Sequence, residues 1–256
     1  MSDTLELCLQ LTLKKGFNMQ NIFITGGSGY MGRHLIPHLL KRGHSIRALV
    51  RPGSENKLPP GTTPESGDAL QAESYAHVVP PSDTFVQLVG TPKPNPRKAQ
   101  QFREVDLKSG LAAVTAARQA GIRHFVYVSV AHPAPLMHAY IEPRIEVETA
   151  ISSSGLNATI LRPWYVLGPG HRWPYLILPV YWAMGLIPSK RATARRLGLV
   201  SLRQMIAALV DAVENPAHGI RIVEVPDIQR LGAGSAGTTV SSDHKTRIEP
   251  TPPGCQ

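Results

Sequence analysis

Short apolar runs alternate with longer amphipathic stretches along most of the chain. The runs have the length of buried strands, and the stretches repeat apolar residues at the helical spacing of three and four. Strands that alternate with helices of this length predict an α/β protein with a parallel, doubly wound sheet. The predicted strands are 22–24, 45–50, 62–66, 84–89, 125–128, 158–161 and 220–225.

The amphipathic stretches predict helices between these strands. Glycine is favoured just after the last turn of a helix, so Gly43 and Gly121 mark the ends of two of them. A further helix carries Tyr140, Arg144 and Glu148. The helical stretches are 31–40, 69–77, 102–120, the one around residues 140–148, and 202–213.

A glycine-rich turn joins the first strand to the first helix. Gly26, Gly29 and Gly32 are spaced three apart. In dinucleotide-binding turns such glycines allow a sharp bend, close approach of the backbone to a pyrophosphate, and tight helix packing. The helix N-terminus adds N–H groups and a positive dipole end. The position between a strand and a helix favours dinucleotide binding over a tight turn without a ligand.

These features predict a Rossmann-type domain that fills most of the chain. Residues 1–20 form an N-terminal extension, and residues 21–165 form the dinucleotide-binding domain. Residues 166–230 complete the same fold as a small substrate-side region. Residues 231–256 are dominated by Gly, Ser, Thr and Pro, which predicts a disordered tail.

The residue after the second strand bears on the choice of cofactor. NAD-binding units usually place an acidic residue there, which holds the ribose 2′-hydroxyl. This chain has Arg51, with Arg33 and Arg47 nearby in sequence. A guanidinium can bind a 2′-phosphate through two hydrogen bonds, so NADP is favoured over NAD. The alternative is that Arg51 is a solvated charge at a strand end.

Two other segments reach the expected cofactor path. Asp68 can contact the adenine, or it can cap the helix predicted over residues 69–77 without any ligand. Gly90 and Thr91 follow the fourth strand, where the nicotinamide half of a dinucleotide would pass. Ser129 ends the fifth strand on the same predicted edge of the sheet.

The net charge of +9 is concentrated locally, because residues 151–210 contain no Asp or Glu. No zinc finger, RNP motif or basic-aromatic repeat indicates nucleic-acid binding. The apolar segment 173–187 is too short to span a bilayer. Its junction with the basic residues up to Arg196 keeps a peripheral membrane contact through 173–196 open. Cys8 and Cys255 fit neither a disulfide framework nor a metal site, so we expect a cytoplasmic protein without a metal.

Several motifs, in this order, resemble the short-chain dehydrogenase/reductase superfamily in its extended or atypical branch, including NmrA-like and epimerase-like NAD(P)-binding proteins. They are TGGSGYMG (25–32), GD (67–68), VG (89–90), AGIRHFVYVS (120–129), RP (162–163) and GPG (168–170). The resemblance covers roughly residues 20 to 230. It implies cofactor contacts at Gly26, Gly27, Ser28, Gly29, Tyr30, Met31, Gly32, Arg51, Asp68, Val89, Gly90 and Thr91.

The resemblance also implies a catalytic set. Active members carry a Tyr-x-x-x-Lys pair on a helix and a Ser at the end of the fifth strand. Tyr140 and Ser129 match, but Arg144 stands in place of the lysine. A guanidinium can lower the pKa of the tyrosine, but its planar fork makes different hydrogen bonds. Two functions therefore stay open: an NADP-dependent oxidoreductase or epimerase/dehydratase acting on a small molecule, and a non-catalytic NADP-binding regulator, sensor or assembly factor.

Overall fold

The computed structural model describes residues 19–92, 95–134, 137–169 and 197–234. Seven parallel strands form one sheet in the order β3-β2-β1-β4-β5-β6-β9, and β7 and β8 form a separate parallel pair. The strands are β1 Asn21–Thr25, β2 Ser45–Val50, β3 Thr63–Ser66, β4 Thr84–Gln87, β5 His124–Val128, β6 Ala158–Arg162, β7 Tyr165–Leu167, β8 Leu199–Ser201 and β9 Ile220–Glu224. The predicted α/β, doubly wound fold class is confirmed.

Helices connect the strands and cover the sheet. They are α1 Tyr30–Leu40, α2 Ala99–Gln101, a π-helical segment Phe102–Leu107, α3 Lys108–Gln119, α4 His138–Ser153, α5 Leu202–Glu214 and α6 Val225–Gly234. We call Phe102–Leu107 the π segment. It joins α2 to α3 without a break.

Both faces of the central strands β1, β4, β5 and β6 are buried, as expected for parallel strands, whereas the edge strands β3 and β9 are largely exposed or half-buried. Successive residues of a strand point to opposite faces. In β1, Ile22 and Ile24 pack on one face with α1, α5 and α6, whereas Phe23 packs on the other face with α3 and α4. This burial on both sides explains why the central strands are rich in consecutive apolar residues.

The strand order reverses between β1 and β4. Crossovers from β1 run one way to β2 and β3, and those from β4 run the other way. In open parallel sheets, ligands bind at such a switch point, outside the carboxyl ends of the strands. The glycine turn after β1 and the loop after β4 both lie there.

The prediction of a helix over residues 69–77 was wrong. Two 3₁₀ turns, Ala72–Ser74 and Ala76–Val78, occupy that stretch. The hydroxyl of Ser74 donates to the carbonyls of Asp68 and Gln71. Such local side-chain bonds compete with the hydrogen bonds of an α-helix.

Two features near the C-terminal end also differ from the prediction. β7 and β8 were not predicted, because each has three residues and its partner lies far along the chain. Helix α6 continues to Gly234, past the point where the tail was expected to begin. The fully buried Ile228 and the half-buried Leu231 pack that helix on the core. Residues 235–256 lie outside the described residues.

Candidate functional site

The glycine turn is too tight for side chains at two positions. Gly26 has a φ of +74°, and a Cβ there would lie 2.8 Å from backbone atoms of Leu88 and Val89. A Cβ on Gly32 would lie 2.6 Å from the carbonyl oxygen of Gly26. The first N–H groups of a helix have no intrahelical partner, so the start of α1 offers donors to an anion.

A cavity of about 370 Å³ lies over this turn at the switch point. Seven of the predicted cofactor residues line it: Gly26, Ser28, Gly29, Arg51, Asp68, Val89 and Gly90. Residues that the prediction missed also line it: Leu49, Val50, Ser54, Lys57, Gly67, Ala69, Leu70, Leu88 and Val105. Such a mixed lining, with a few convergent polar groups, is typical of small-molecule sites.

The other predicted cofactor residues do not line this cavity. A Cβ on Gly27 would point at the core side chains of Ala48 and Ile36. Tyr30, Met31 and Gly32 open α1, and the Tyr30 ring contacts that of His34. Thr91 is buried and bonds to Asp106.

Two exposed cations, Arg51 and Lys57, line the cavity. Arg51 follows β2, and Lys57 ends the 3₁₀ turn Glu55–Lys57. The sequence analysis did not predict Lys57, because the polar composition of this loop does not indicate a ligand contact. Arg47 is not part of this group, because its guanidinium pairs with Glu65 at 2.7 Å and donates to the carbonyl of Pro80. Arg33 is exposed on α1 and does not line the cavity.

Asp68 is held in place by its own loop. Its Oδ1 accepts from the N–H of Leu70 at 3.0 Å, and its Oδ2 lies 3.4 Å from Nε2 of Gln71. These contacts fix the orientation of the carboxylate within the turn. Asp68 caps no helix, because the helix predicted over residues 69–77 is absent, and it lines the cavity.

Asp106, in the π segment, connects the loop after β4 to α4. Its Oδ1 accepts from the N–H of Thr91 at 3.0 Å, and its Oδ2 accepts from the Thr91 hydroxyl at 2.5 Å. Nη2 of Arg144 donates to the same carboxylate at 2.5 Å. All three residues are buried. The structure thus commits Arg144 to an ion pair, which the sequence did not predict.

Arg144 also lies against the ring of Tyr140. Its guanidinium carbon is 3.8 Å from the ring centroid, and Phe102 packs edge-on against the same ring. Burial raises the pKa of Tyr140 above its usual value, although the charge of Arg144 opposes that shift. Tyr140 is therefore a neutral phenol at physiological pH and can donate a proton.

Ser129 belongs to a buried charge cluster. Its hydroxyl donates to Oε1 of Glu148 at 2.5 Å, and His132 lies 3.3 Å from Oε2 of the same carboxylate. Arg162 binds both oxygens of Glu148 and also pairs with Glu224 at 3.1 Å. We call these five residues the Glu148 cluster. The Ser129 hydroxyl hydrogen is taken by Glu148, so its oxygen can serve a further partner only as an acceptor, and Ser129 is buried and does not line the cavity.

A second cavity, of about 450 Å³, lies at the outer edge of the sheet beside β9, α5 and α6. Its charged side chains neutralise one another, since Arg221 pairs with Asp211 at 3.1 Å and Arg230 with Asp227 at 2.6 Å. It lies away from the switch point, and we do not assign it to the cofactor.

Other features predicted from the sequence fall partly outside the described residues. The segment 173–196 and both cysteines lie there. In the described ranges, no helix is long and apolar enough to cross a membrane. The same part of the chain shows no group of His, Cys, Asp or Glu that could hold a metal ion.

A model of the NAD(P)H-binding family matches residues 26–172, which is more than half of the chain and includes the whole glycine turn. The chain belongs to the NAD(P)H-binding family. The predicted resemblance to the extended short-chain dehydrogenase/reductase superfamily is confirmed with it, and so is NAD(P) binding as the family property.

Curated relatives include a ceramide reductase of Caulobacter vibrioides, 27% identical over 82% of this chain and 66% of the relative. A 3-beta-hydroxysteroid dehydrogenase of Mycolicibacterium neoaurum is 30% identical over 44% of this chain and 32% of the relative. A photosystem II assembly factor, Ycf39 of Trieres chinensis, is 26% identical over 56% of this chain and 44% of the relative. The chain thus spans between a third and two thirds of these relatives.

Solved structures share the fold. The Bordetella bronchiseptica enzyme WbmH, crystallised with NAD⁺, matches with a TM-score of 0.61 at 20% identity, over 84% of this chain and 79% of the other. WbmG of the same organism, crystallised with NAD, matches with a TM-score of 0.59 at 18% identity, over 86% and 79%. At this identity the likeness concerns the fold alone.

Proposed function

We propose that the protein is an NADP-dependent oxidoreductase of the short-chain type that reduces a carbonyl group of a small, largely apolar molecule. The observation that carries this proposal is the cavity at the switch point, which is lined by the glycine turn and by two exposed cations. Relatives named as a ceramide reductase and a steroid dehydrogenase support the reaction type and an apolar substrate.

The residues around the cavity fit a dinucleotide phosphate. The turn at Gly26–Gly29 and the start of α1 would hold the pyrophosphate. Arg51 and Lys57 would bind the 2′-phosphate, and Ser54 lies between them in sequence as a further donor. Asp68 and Leu70 would border the adenine. No acidic residue follows β2 to take the ribose 2′-hydroxyl that NAD presents, and this favours NADP.

The proposed chemistry rests on Tyr140, which does not line the cavity but is connected to its wall at Gly90 through Arg144. When bound, a reduced nicotinamide supplies a hydride to the substrate carbonyl carbon. The neutral phenol of Tyr140 would give its proton to the carbonyl oxygen. Ser129 would accept a hydrogen bond from the resulting hydroxyl, because Glu148 takes the hydrogen of Ser129. A neutral phenol suits this direction better than proton removal from an alcohol.

The test is NADPH consumption with a panel of ketones that includes a 3-ketosteroid and a ceramide-like ketone. The proposal expects turnover with NADPH, and a loss of roughly 100-fold or more in Tyr140→Phe with NADPH affinity unchanged. An epimerase or dehydratase would convert its substrate without net NADPH loss. If wild type and Tyr140→Phe turn over equally, Tyr140 is not the acid.

One observation favours a second candidate, a non-catalytic NADP-binding regulator or assembly factor. Arg144 is tied to Asp106, and Ser129 is tied to Glu148. Both side chains are thus engaged in contacts within the protein. A relative named as an assembly factor supports this reading. If wild type binds NADPH without turnover and Arg144→Lys gains turnover, the second candidate replaces the first.

A further inference from the structure

The π segment contacts three parts of the candidate site through three side chains. Val105 lines the cavity, Phe102 packs on the ring of Tyr140, and Asp106 bonds to Thr91 and Arg144. An α-helix presents one face over positions i, i+3 and i+4. The wider π turn changes that spacing, and such turns are frequent at functional sites.

Asp106 accepts hydrogen bonds from two other parts of the chain. Thr91 donates twice to it, with its N–H and with its hydroxyl, so the backbone just after Gly90 is fixed. Arg144 donates to it from α4. A Cβ on Gly90 would lie 3.2 Å from Oδ1 of Asp106 and 3.3 Å from Nη2 of Arg144. The ion pair is thus packed directly behind the cavity wall.

The three hydrogen bonds from Thr91 and Arg144 hold the Asp106 carboxylate in one position. Hydrogen bonds to charged groups contribute more than neutral ones, and buried ones resist competition from water. The backbone at Thr91, next to the cavity-lining Gly90, is therefore held by Asp106.

We propose that Asp106 is a positioning residue that sets the wall for the nicotinamide half of the cofactor, through Thr91 and Arg144. The proposal rests on the proposed function, since it presumes that NADP binds in the cavity. It predicts that weakening the Asp106 contacts lowers affinity for the whole dinucleotide. Affinity for the adenosine end, which Arg51, Lys57 and Asp68 border, stays unchanged.

The experiment compares two ligands, NADPH and adenosine 2′,5′-bisphosphate, which lacks the nicotinamide half. Calorimetry gives both dissociation constants for the wild type and for two variants, Thr91→Val and Asp106→Asn. Thr91→Val removes one hydroxyl and keeps the ion pair, so it tests the proposal even if Asp106→Asn, which leaves Arg144 buried without a carboxylate, does not fold.

The matched control is Glu146→Gln. Glu146 pairs with Arg103 at 2.8 Å and bridges the same π segment and α4, but this pair is about half exposed. We expect a loss of about tenfold in NADPH affinity for Thr91→Val, with the bisphosphate unchanged and Glu146→Gln like wild type for both ligands.

The outcomes separate this inference from the proposed function. Equal losses for both ligands, or no loss for either, would overturn the positioning role while leaving NADP binding in place. If the wild type binds neither NADPH nor the bisphosphate, the proposed function itself fails, and the role of Asp106 falls with it.

Discussion

Replacing Glu148 with glutamine should destabilise the protein strongly, because Glu148 is the centre of the Glu148 cluster. Its side chain is 7% exposed, and its two oxygens accept from Ser129, His132 and twice from Arg162. A glutamine keeps the shape but removes the charge that balances Arg162, which is only 14% exposed. Removing one partner of a buried pair costs about 3–5 kcal/mol. The free energy of unfolding of a whole domain is roughly 5–15 kcal/mol, so this loss would be a large fraction of the stability.

The assay is urea unfolding, followed by circular dichroism, with the midpoint and slope fitted for each variant. Glu224→Gln is the matched control. Glu224 bonds to the same Arg162 at 3.1 Å but is 34% exposed, and removing such a partner should cost about 1 kcal/mol or less. If Glu148→Gln and Glu224→Gln shift the midpoint equally, the cluster does not act as a buried pair centred on Glu148.

Two further predictions concern stability and the glycine turn. Burial, together with the charge of Arg221, lowers the pKa of His124 from 6.5 to about 4. Between pH 6.5 and about 4, His124 binds a proton in the unfolded chain but not in the folded protein. The free energy of unfolding therefore falls by about 3 kcal/mol as the pH is lowered from 6.5 to 4, and this loss is absent above pH 6.5. Urea midpoints at pH 7.5 and 4.5 should therefore differ less in His124→Gln, and an unchanged difference would contradict the lowered pKa. Gly32→Ala should lower the unfolding midpoint, because its Cβ would press on backbone within 2.6 Å. Gly29→Ala should lower the midpoint less, since its Cβ would meet only the carbonyl oxygen of Gly26, at 3.0 Å, and it should weaken NADPH binding because Gly29 lines the cavity. Equal unfolding midpoints in these two variants would count against the geometry of the turn.

The centre of the sheet could be predicted from sequence because both faces of its central strands are buried. Continuous apolar runs such as Phe125–Val128 leave little choice between strand and other structure, and their alternation with helices fixes a parallel order. The glycine turn could be predicted for a similar reason. The backbone at Gly26 and Gly32 excludes any side chain, so the constraint is visible in the residue type itself.

The contacts of the candidate catalytic residues could not be predicted. Asp106 lies 15 residues from Thr91 and 38 from Arg144, and it sits in a stretch whose apolar period is that of an ordinary helix. The insertion of a π turn does not change that period enough to be recognised. The match of Tyr140 and Arg144 to a motif gave the correct helix, but not the ion pair that holds the guanidinium.

Ion pairs also decide which of the predicted basic residues are available to bind a ligand. Arg47 and Arg51 look alike in sequence, yet Glu65 from the neighbouring strand neutralises Arg47. Lys57, in the 3₁₀ turn after β2, lines the cavity together with Arg51, whereas Arg47 does not. Such pairings depend on strand order, which composition and spacing do not specify.

The measurement that tests the central claim most directly is a calorimetric titration of the protein with NADPH and with NADH, repeated for Arg51→Ala and Lys57→Ala. We expect NADPH to bind at least about tenfold more tightly than NADH, a difference of about 1.4 kcal/mol. Each variant should lose most of that preference while its affinity for NADH stays unchanged. Added salt should weaken the binding of NADPH more than the binding of NADH. Equal affinity of the wild type for both cofactors would contradict the assignment of Arg51 and Lys57 to a 2′-phosphate. Binding of neither would contradict the cofactor site itself.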